Sequence, residues 1–297
     1  MSIVKSFSVE DGDTFYINHG SDNFTICDIC LSDNNKDEIV NEIISKKKGK
    51  SITRFISTHP DEDHFHDLEY LDDKINILNF YCVKNKVTKE DETKDFLRYC
   101  RLRDDLKKVF YLERGCSRKW MNESGKDDED VNRGSSGINI LWPIATNEHY
   151  KNALKSAEKG ESTNNISIIM KYTLADGPAI IWMGDLESDF MEKIKDEIVM
   201  DKVDILFAPH HGRDTGKVPD SWLKKINPKI VIIGEVPSED LDYYEGYNTI
   251  SQNSAGDITL ECDIGKVHIY VSNKYSVNFL DDERMNTFNN YIGTLNL

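Results

Sequence analysis

The chain has 297 residues and a mass of 34.2 kDa, so it is long enough to bury a full hydrophobic core. Its 38% hydrophobic and 30% charged residues exclude a disordered chain. The formal net charge of −16 argues against a protein that coats duplex nucleic acid, because neutralising phosphates takes clustered Lys and Arg. Small anionic substrates remain open, since bound divalent cations reverse the sign of the local field.

The cellular location is indicated by what the sequence lacks. No apolar run approaches the roughly 20 residues that a bilayer requires, and the amino terminus has no apolar stretch of signal-peptide length. The six cysteines are sparse and unpatterned, as is typical of reduced thiols. We therefore expect a cytoplasmic protein that does not associate with a membrane.

Alternating and apolar runs predict a strand meander at the start of the chain, followed by a helix and one more strand. The predicted strands cover residues 3–9, 14–17, 24–29 and 52–57, and the helix covers residues 36–47.

The strongest signal for function comes directly after the fourth of these strands. His59, Asp61, Asp63 and His64 fall within six residues. Pro60 denies the chain a ladder donor, so the strand should end here. A loop that leaves a strand end can turn alternate side chains inward, and imidazole with carboxylate suits zinc, manganese or iron. The alternative is a solvated acidic loop that carries two histidines by chance.

Residues 86–137 interrupt the regular alternation of predicted strands and helices. A charged helix is predicted from Lys89 to Phe110, followed by an acidic loop rich in Gly, Ser and Asn. The segment from Arg98 to Lys119 is the most basic part of an acidic chain and is suited to steer phosphate or nucleic acid to the metals. The alternative is an ordinary solvated helix face.

Two later strands end on further candidate ligands. The apolar strand predicted over 179–183 ends on a glycine and Asp185, from where a carboxylate can reach two metals; the alternative is that Asp185 caps the next helix. The strand predicted over 203–208 ends just before His210 and His211. Neighbouring side chains of an extended strand point to opposite faces, so we expect one histidine to ligate and the other to pack beside it or contact substrate.

Further strands are predicted over residues 138–143, 166–172, 228–234, 257–262 and 266–271. Strands and helices alternate without an internal repeat, which predicts an α/β protein with sheets packed under helices in two halves.

Four features in chain order resemble the metallo-β-lactamase superfamily. They are the strand meander, His-x-Asp-x-Asp-His, a strand ending in Gly-Asp and a strand ending in His-His-Gly. The chain is most similar to the ComEC-like metallohydrolase branch, in which aspartate replaces the second histidine of the signature, as Asp61 does here. Residues 164–167 and 254–258 also resemble that branch. The resemblance implies a four-layer αββα sandwich, a single domain over residues 1–297, and a helical, charged insertion at about 86–137.

The chain departs from the pattern of the branch at three places. His66-Asp67 stands where the branch has Gly-Gly, and Asn164 or Asn165 lies where the superfamily has a histidine before the Gly-Asp strand. The late His-Pro of many relatives is missing. One tightly held ion with a weaker second site fits these departures.

The resemblance also implies a site with one or two Zn²⁺ or Mn²⁺ ions per chain. The implied metal ligands are His59 and Asp61 for one ion, Asp63 and His64 for the other, Asp185 as a bridge, and His210 to complete a shell. Two cations about 3.5–4 Å apart lower the pKa of a shared water and stabilise charge on a phosphoryl or acyl oxygen. Asp63 is expected to orient that water, and His211 or His66 to protonate the leaving group or contact phosphate.

Three functions follow as hypotheses. The first is a metal-dependent phosphodiesterase or nuclease that acts on single-stranded nucleic acid or a small nucleotide, with the Arg98–Lys119 segment as a contact surface. The second is a hydrolase of a neutral ester, lactone or thioester. The third is a catalytically weak, metal-bound interaction module with protein partners in a bacterial multi-protein system. Fold alone does not choose between them.

Overall fold

A computed structural model describes residues 1–283 and 290–297 of the chain. Its strands are β1 (Ser2–Ser6), β2 (Phe15–Asn18), β3 (Asn23–Cys27), β4 (Ile52–Ile56), β5 (Phe80–Cys82), β6 (Val109–Tyr111), β7 (Gly125–Lys126), β8 (Asn132–Arg133), β9 (Ile138–Trp142), β10 (Ile169–Thr173), β11 (Ala179–Trp182), β12 (Ile205–Phe207), β13 (Ile230–Ile233), β14 (Thr249–Ser251), β15 (Ile258–Asp263), β16 (Lys266–Val271) and β17 (Tyr291–Asn296). Its α-helices are α1 (Lys36–Lys47), α2 (Leu68–Ile75), α3 (Lys94–Asp104), α4 (Glu148–Ala157), α5 (Ser188–Ile194), α6 (Asp220–Ile226) and α7 (Gln252–Ala255). Over these ranges, no helix is both long and apolar enough to cross a bilayer.

Most strands belong to two sheets. The larger sheet has nine strands in the order β17-β16-β15-β1-β2-β3-β4-β5-β6, and the smaller has six in the order β14-β13-β12-β11-β10-β9. The larger sheet is antiparallel except from β3 to β6, where neighbouring strands run parallel. The smaller sheet is parallel from β11 to β14. In each sheet the parallel part supplies the strand ends that carry the candidate ligands.

The two sheets pack face to face through aromatic side chains. Phe15 of β2 stacks on Trp182 of β11 at a centroid distance of 4.9 Å and lies 6.2 Å from Phe207 of β12. The next residue, Tyr16, points to the opposite face, where its hydroxyl donates to Glu42 of α1. This alternation places one face of β2 in the core between the sheets and the other under a helix.

The smaller sheet is covered by helices on its outer face. Trp142 of β9 makes edge contacts with Tyr150 of α4 and Phe190 of α5, at centroid distances of 5.8 and 6.1 Å. Buried side chains of both sheets form one continuous core. The predicted four-layer αββα architecture is confirmed, while the single domain over residues 1–297 stays a prediction.

The insertion differs in detail from its prediction. The helix expected over Lys89 to Phe110 is shorter, because α3 ends at Asp104 and the chain then forms β6 at the edge of the larger sheet. Thr93 caps α3 by accepting a hydrogen bond from the backbone N–H of Phe96, so the helix starts at Lys94, five residues after the predicted start. The segment is therefore part helix and part sheet edge rather than one long helix.

Candidate metal centre

The motif loop leaves the end of β4 and buries two imidazoles. His59 and His64 are both fully buried, with ring centroids 4.1 Å apart. Residues Glu62–His64 form one turn of 3-10 helix, which Asp61 caps by accepting from the backbone N–H of Glu62 at 2.9 Å. This turn brings His64 back beside His59, so the two ligand candidates predicted from the sequence do lie together.

Asp185 lies at the centre of the cluster. Its Oδ1 is 3.2 Å from His64 Nε2, and its Oδ2 is 3.9 Å from His59 Nε2, 3.7 Å from His210 Nε2 and 3.6 Å from His211 Nε2. Asp185 reaches this position because Gly184 turns the chain with φ 50°, where an added Cβ would come within 2.7 Å of Ser167 Oγ. The side chain is thus a shared neighbour of four imidazoles and not a helix cap.

His210 and His211 do not point to opposite faces, which corrects the expectation drawn from strand geometry. Both have left-handed backbone, with φ 51° and 59°, in a 3-10 turn that follows β12. The alternation of an extended strand does not apply in such a turn. Both Nε2 atoms therefore lie within 3.7 Å of the same carboxylate oxygen of Asp185.

Each of the four imidazoles has its Nδ1 held by a neighbour. The pairs are His64 with Asp28 Oδ2 at 2.9 Å, His211 with Asp13 Oδ1 at 3.3 Å, His210 with Thr215 Oγ1 at 2.8 Å, and His59 with Thr58 Oγ1 at 3.1 Å. The Thr58 hydroxyl itself donates to Asp28, so its oxygen is left to accept from His59. Metal-binding histidines in proteins are oriented in the same way, with the second ring nitrogen bonded to a carboxylate or hydroxyl.

The opposite edges of three of these rings have no hydrogen-bond partner. The buried atoms without one include His59 Nε2, His64 Nε2, His211 Nε2 and Asp185 Oδ1. His64 Nε2 and Asp185 Oδ1 are 3.2 Å apart but lack hydrogen-bonding geometry. Leaving a buried polar atom unpaired costs about 1–3 kcal/mol each, so four such atoms converging on one point need a common partner. A divalent cation fits this donor set of imidazole nitrogens and carboxylate oxygens.

The charge states of two central groups suit a cation. Burial alone would raise the pKa of Asp185, but the imidazoles of His64, His211 and His59 outweigh it and hold that pKa well below its ordinary value. Burial, reinforced by His64, lowers the pKa of His59 to about 4. At neutral pH the centre therefore offers an ionised Asp185 and a neutral His59. Burial alone would lower the pKa of His64, but the carboxylates of Asp185 and Asp28 outweigh it and raise that pKa, so His64 would release a proton on binding a cation.

Asp13 and Asp28 were missed in the sequence. One ligand atom each from Asp13, His64, Asp185 and His211 lies within 4.8 Å of the others, so Asp13 is within reach of the same ion. Asp13 sits in the turn after β1 and is held to the motif loop by its backbone N–H, which donates to the Asp63 carbonyl at 3.3 Å. Both aspartates lie in ordinary strand or turn patterns, and nothing in their local sequence indicates a contact with the metal centre.

The two acids of the motif loop are placed differently. Asp63 is at the rim, with its side chain 34% exposed, 3.6 Å from His211 Nε2 and 3.9 Å from His64 Nε2. The Asp61 carboxylate instead forms an ion pair with Lys89 at 3.0 Å. Ligation by Asp61 and water orientation by Asp63 both stay predictions.

His66 lies outside the cluster. Its side chain is 48% exposed, and its Nδ1 bonds to the Leu31 carbonyl at 2.8 Å. As an acid for a leaving group it is therefore less well placed than His211.

Several cations of the Arg98–Lys119 segment are engaged within the protein. Arg98 pairs with Asp72 at 2.7 Å and with Asp73 at 2.9 Å, and Arg103 is buried. Arg118 lies over the rings of Tyr81 and Phe110. These contacts use part of the positive charge, and nucleic-acid binding by this segment stays a prediction.

Comparison with known proteins gives likeness of fold only. No protein-family model matches the sequence, and no curated protein matches it significantly. The metallo-β-lactamase fold protein YhfI from Bacillus subtilis aligns over 84% of this chain and 96% of its own, with a TM-score of 0.42 and 10% identity.

Two structures of the β-hydroxylase CmlA also align. A point mutant aligns over 88% of this chain and 54% of its own, with a TM-score of 0.48 and 10% identity. The diiron enzyme from Streptomyces venezuelae aligns over 79% of this chain and 45% of its own, with a TM-score of 0.41 and 12% identity. This chain thus spans about half the length of the CmlA structures. At these scores the likenesses bear on neither the metal nor the substrate.

Proposed function

We propose that this protein is a metal-dependent hydrolase of phosphodiesters, related to the ComEC-like branch, that acts on single-stranded nucleic acid or a small nucleotide. The observation that carries the hydrolase proposal is the convergence of unpartnered, buried His59, His64 and His211 nitrogens on Asp185. Such a set of ligands is suited to Zn²⁺ or Mn²⁺.

We assign the tighter ion to Asp63, His64, Asp185 and His211, and a weaker one to His59, Asp61 and His210 with Asp185 shared. We assign to His211 the ligand role that was predicted for His210, because Nε2 of His211 faces both Asp63 and Asp185 while Asp13 holds its Nδ1. A bound Zn²⁺ or Mn²⁺ ion acidifies water and draws charge from a phosphoryl or acyl oxygen. Asp63, partly exposed at the rim, is positioned to accept a proton from an incoming water.

The charges near the opening of the metal centre favour a small phosphodiester as substrate over a long nucleic-acid duplex. Arg213 follows the His-His-Gly turn directly, and its guanidinium, about one-third exposed, is 2.7 Å from Asp11. Its guanidinium is suited to bind a phosphate group of the substrate. Half of the residues that line a neighbouring cleft of about 660 Å³ are acids, and Lys217 is the cation among these lining residues. The lining acids are Glu187, Asp189, Glu192, Asp214 and Asp220.

To test this proposal, the metal content of the purified protein is measured, and its hydrolysis of bis-p-nitrophenyl phosphate is assayed with and without added Mn²⁺. We expect turnover that requires metal and that vanishes in Asp63→Ala, because this change removes both a ligand of the tight ion and the proposed base. Turnover should vanish in Asp185→Ala and persist in Asp196→Ala, a change at an exposed aspartate after α5.

Parallel assays separate the alternatives. Hydrolysis of p-nitrophenyl acetate without hydrolysis of the phosphodiester would replace the proposal with a neutral ester, lactone or thioester hydrolase. Bound metal without turnover of either probe would leave the interaction module. Cleavage of a single-stranded oligonucleotide would extend the phosphodiesterase to a nuclease.

A further inference from the structure

Lys89 contacts two acids of the motif loop, Asp61 and Glu62. Its Nζ is 3.0 Å from Asp61 Oδ1 and 3.8 Å from Glu62 Oε2. The same Oδ1 of Asp61 also accepts the backbone N–H of Glu62 at 2.9 Å. One carboxylate oxygen of Asp61 is therefore already bonded to two donors before any ion is considered.

The ammonium is fixed in place by its surroundings. Lys89 lies over the rings of Phe65 and Phe96, at 5.0 and 5.9 Å from their centroids, and its side chain is only 21% exposed. The loop that carries it is tied to the motif a second time, because the hydroxyl of Thr93 donates to Glu62 at 2.9 Å. Two aromatic faces and two acids thus define one position for this cation.

Asp63 provides the contrast within the same loop. In residues 1–283 and 290–297, its ion pairs are with His64 and His211, both of which face the centre. Asp61 and Asp63 are two residues apart, but only Asp61 has a lysine as its partner. A second divalent ion bound by Asp61 would have to share that carboxylate with a fixed ammonium, and like charges at one carboxylate repel.

We propose that Lys89 is a positioning residue that competes with the second ion for the carboxylate of Asp61 and so makes the second metal position weak. This inference rests on the metal centre of the proposed function. The tight ion is held by Asp63, His64, Asp185 and His211. The ammonium of Lys89 already neutralises the carboxylate of Asp61, which a second ion would otherwise do. The insertion thereby sets how many ions the centre holds at a given metal concentration.

The test is calorimetric titration of the metal-free protein with Mn²⁺, which requires no turnover. The wild-type protein should bind one ion tightly and a second ion weakly. Lys89→Met keeps an apolar stem over the two phenylalanine rings but removes the charge. It should tighten the second ion by about tenfold, the lower end of effects seen for groups next to metal ligands, and leave the first ion unchanged.

Three further variants make the result specific. Lys89→Arg keeps the charge and should retain the weak second ion. Asp61→Asn in the Lys89→Met background should abolish the gain. Lys86→Met removes an exposed lysine of the same loop, 3.7 Å from Asp104 and 76% exposed, and should change neither ion.

The inference is overturned if Lys89→Met leaves the second ion as weak as in the wild type, or if the wild type binds two ions with equal affinity. Equal thermal unfolding of the metal-free variants shows that they fold alike. Absence of any bound ion would overturn the metal centre itself. Tightening of the second ion in a protein that hydrolyses no phosphodiester would overturn the proposed function and leave the role of Lys89 intact.

Discussion

The carboxylate of Asp28 lies 2.9 Å from Nδ1 of His64, and both side chains are fully buried. The same carboxylate accepts from the backbone N–H and the hydroxyl of Thr58, at 2.8 and 2.6 Å. Since Thr58 in turn bonds to His59 Nδ1, a single aspartate at the end of β3 orients both histidines of the motif loop. Its removal should therefore affect both metal positions without deleting a ligand.

We expect Asp28→Asn to weaken binding of the tight ion by about 10–100-fold, the range found when a group behind a metal-binding histidine is changed. The amide keeps the size of the side chain, but its NH₂ group cannot accept the hydrogen bonds that Oδ2 of Asp28 accepts from the Thr58 hydroxyl and from His64 Nδ1. Titration calorimetry with Mn²⁺ measures the change. At saturating metal the number of bound ions should equal that of the wild type, and a lost ion would instead make Asp28 a ligand.

The assignment of His211 over His210 can be tested by comparing His211→Gln with His210→Gln. Loss of a ligand costs more than the roughly 10–100-fold of an outer partner, so His211→Gln should release the tight ion in the working range of metal. His210→Gln should leave that ion near its wild-type affinity, because His210 lies at the weaker position. Metal content after dialysis is the measurement. The reverse pattern would restore the prediction made from the sequence.

Phe15 should be important for stability because it joins the two sheets. Its ring stacks on Trp182, lies 6.2 Å from the ring of Phe207 and is 2% exposed. Phe15→Ala should lower the free energy of unfolding by about 3–5 kcal/mol, through lost burial and the cavity left behind. Urea unfolding measures the change. Leu106→Ala is the matched control, since Leu106 is 81% exposed and its change should stay within about 0.5 kcal/mol.

His19 gives a pH dependence that is separate from the metal. Burial, with the charges of Arg54 and Lys50, holds its pKa well below the ordinary 6.5. Below that pH the unfolded chain binds a proton at this residue that the folded chain does not, so folding stability falls as the pH is lowered. The wild type should lose stability relative to His19→Gln by about 1.4 kcal/mol per pH unit below about pH 6.5.

The measurement for His19 is urea unfolding of both metal-free proteins at about pH 7, 6 and 5. The other histidines are common to both proteins and cancel in the difference. A constant difference between the two across this range would contradict the buried, neutral state of His19.

The sequence predicted the parts of the centre that local patterns encode. Each candidate ligand on a strand end, from His59 to Asp185, follows an apolar run whose burial is easy to predict. In the structure these ligands follow strands in the parallel parts of the two sheets. The helix over Lys36–Lys47 was predicted at its observed bounds for the same reason, because its apolar residues recur at helical spacing.

The sequence could not show how the loops turn or which distant groups they meet. His210 and His211 point in the same direction because both adopt positive φ, which the strand pattern before them does not predict. Asp13 contacts a histidine 198 residues away, a pairing that depends on the packing of one sheet on the other. The charge of Arg98 was read as a surface for ligands, yet three acids of the helix α2 region surround it.

The centre draws its residues from opposite halves of the protein. His64 and Asp63 follow a strand of the nine-stranded sheet, whereas Asp185 and His211 follow strands of the six-stranded one. An ion held by all four therefore fastens the halves to each other, and at 100 times its dissociation constant it adds about 2.7 kcal/mol to the free energy of unfolding. We expect the lifetime of the chain in a cell to follow metal supply. When metal is scarce the chain would unfold more often and be exposed to proteases, so the abundance of the protein would fall with the metal concentration.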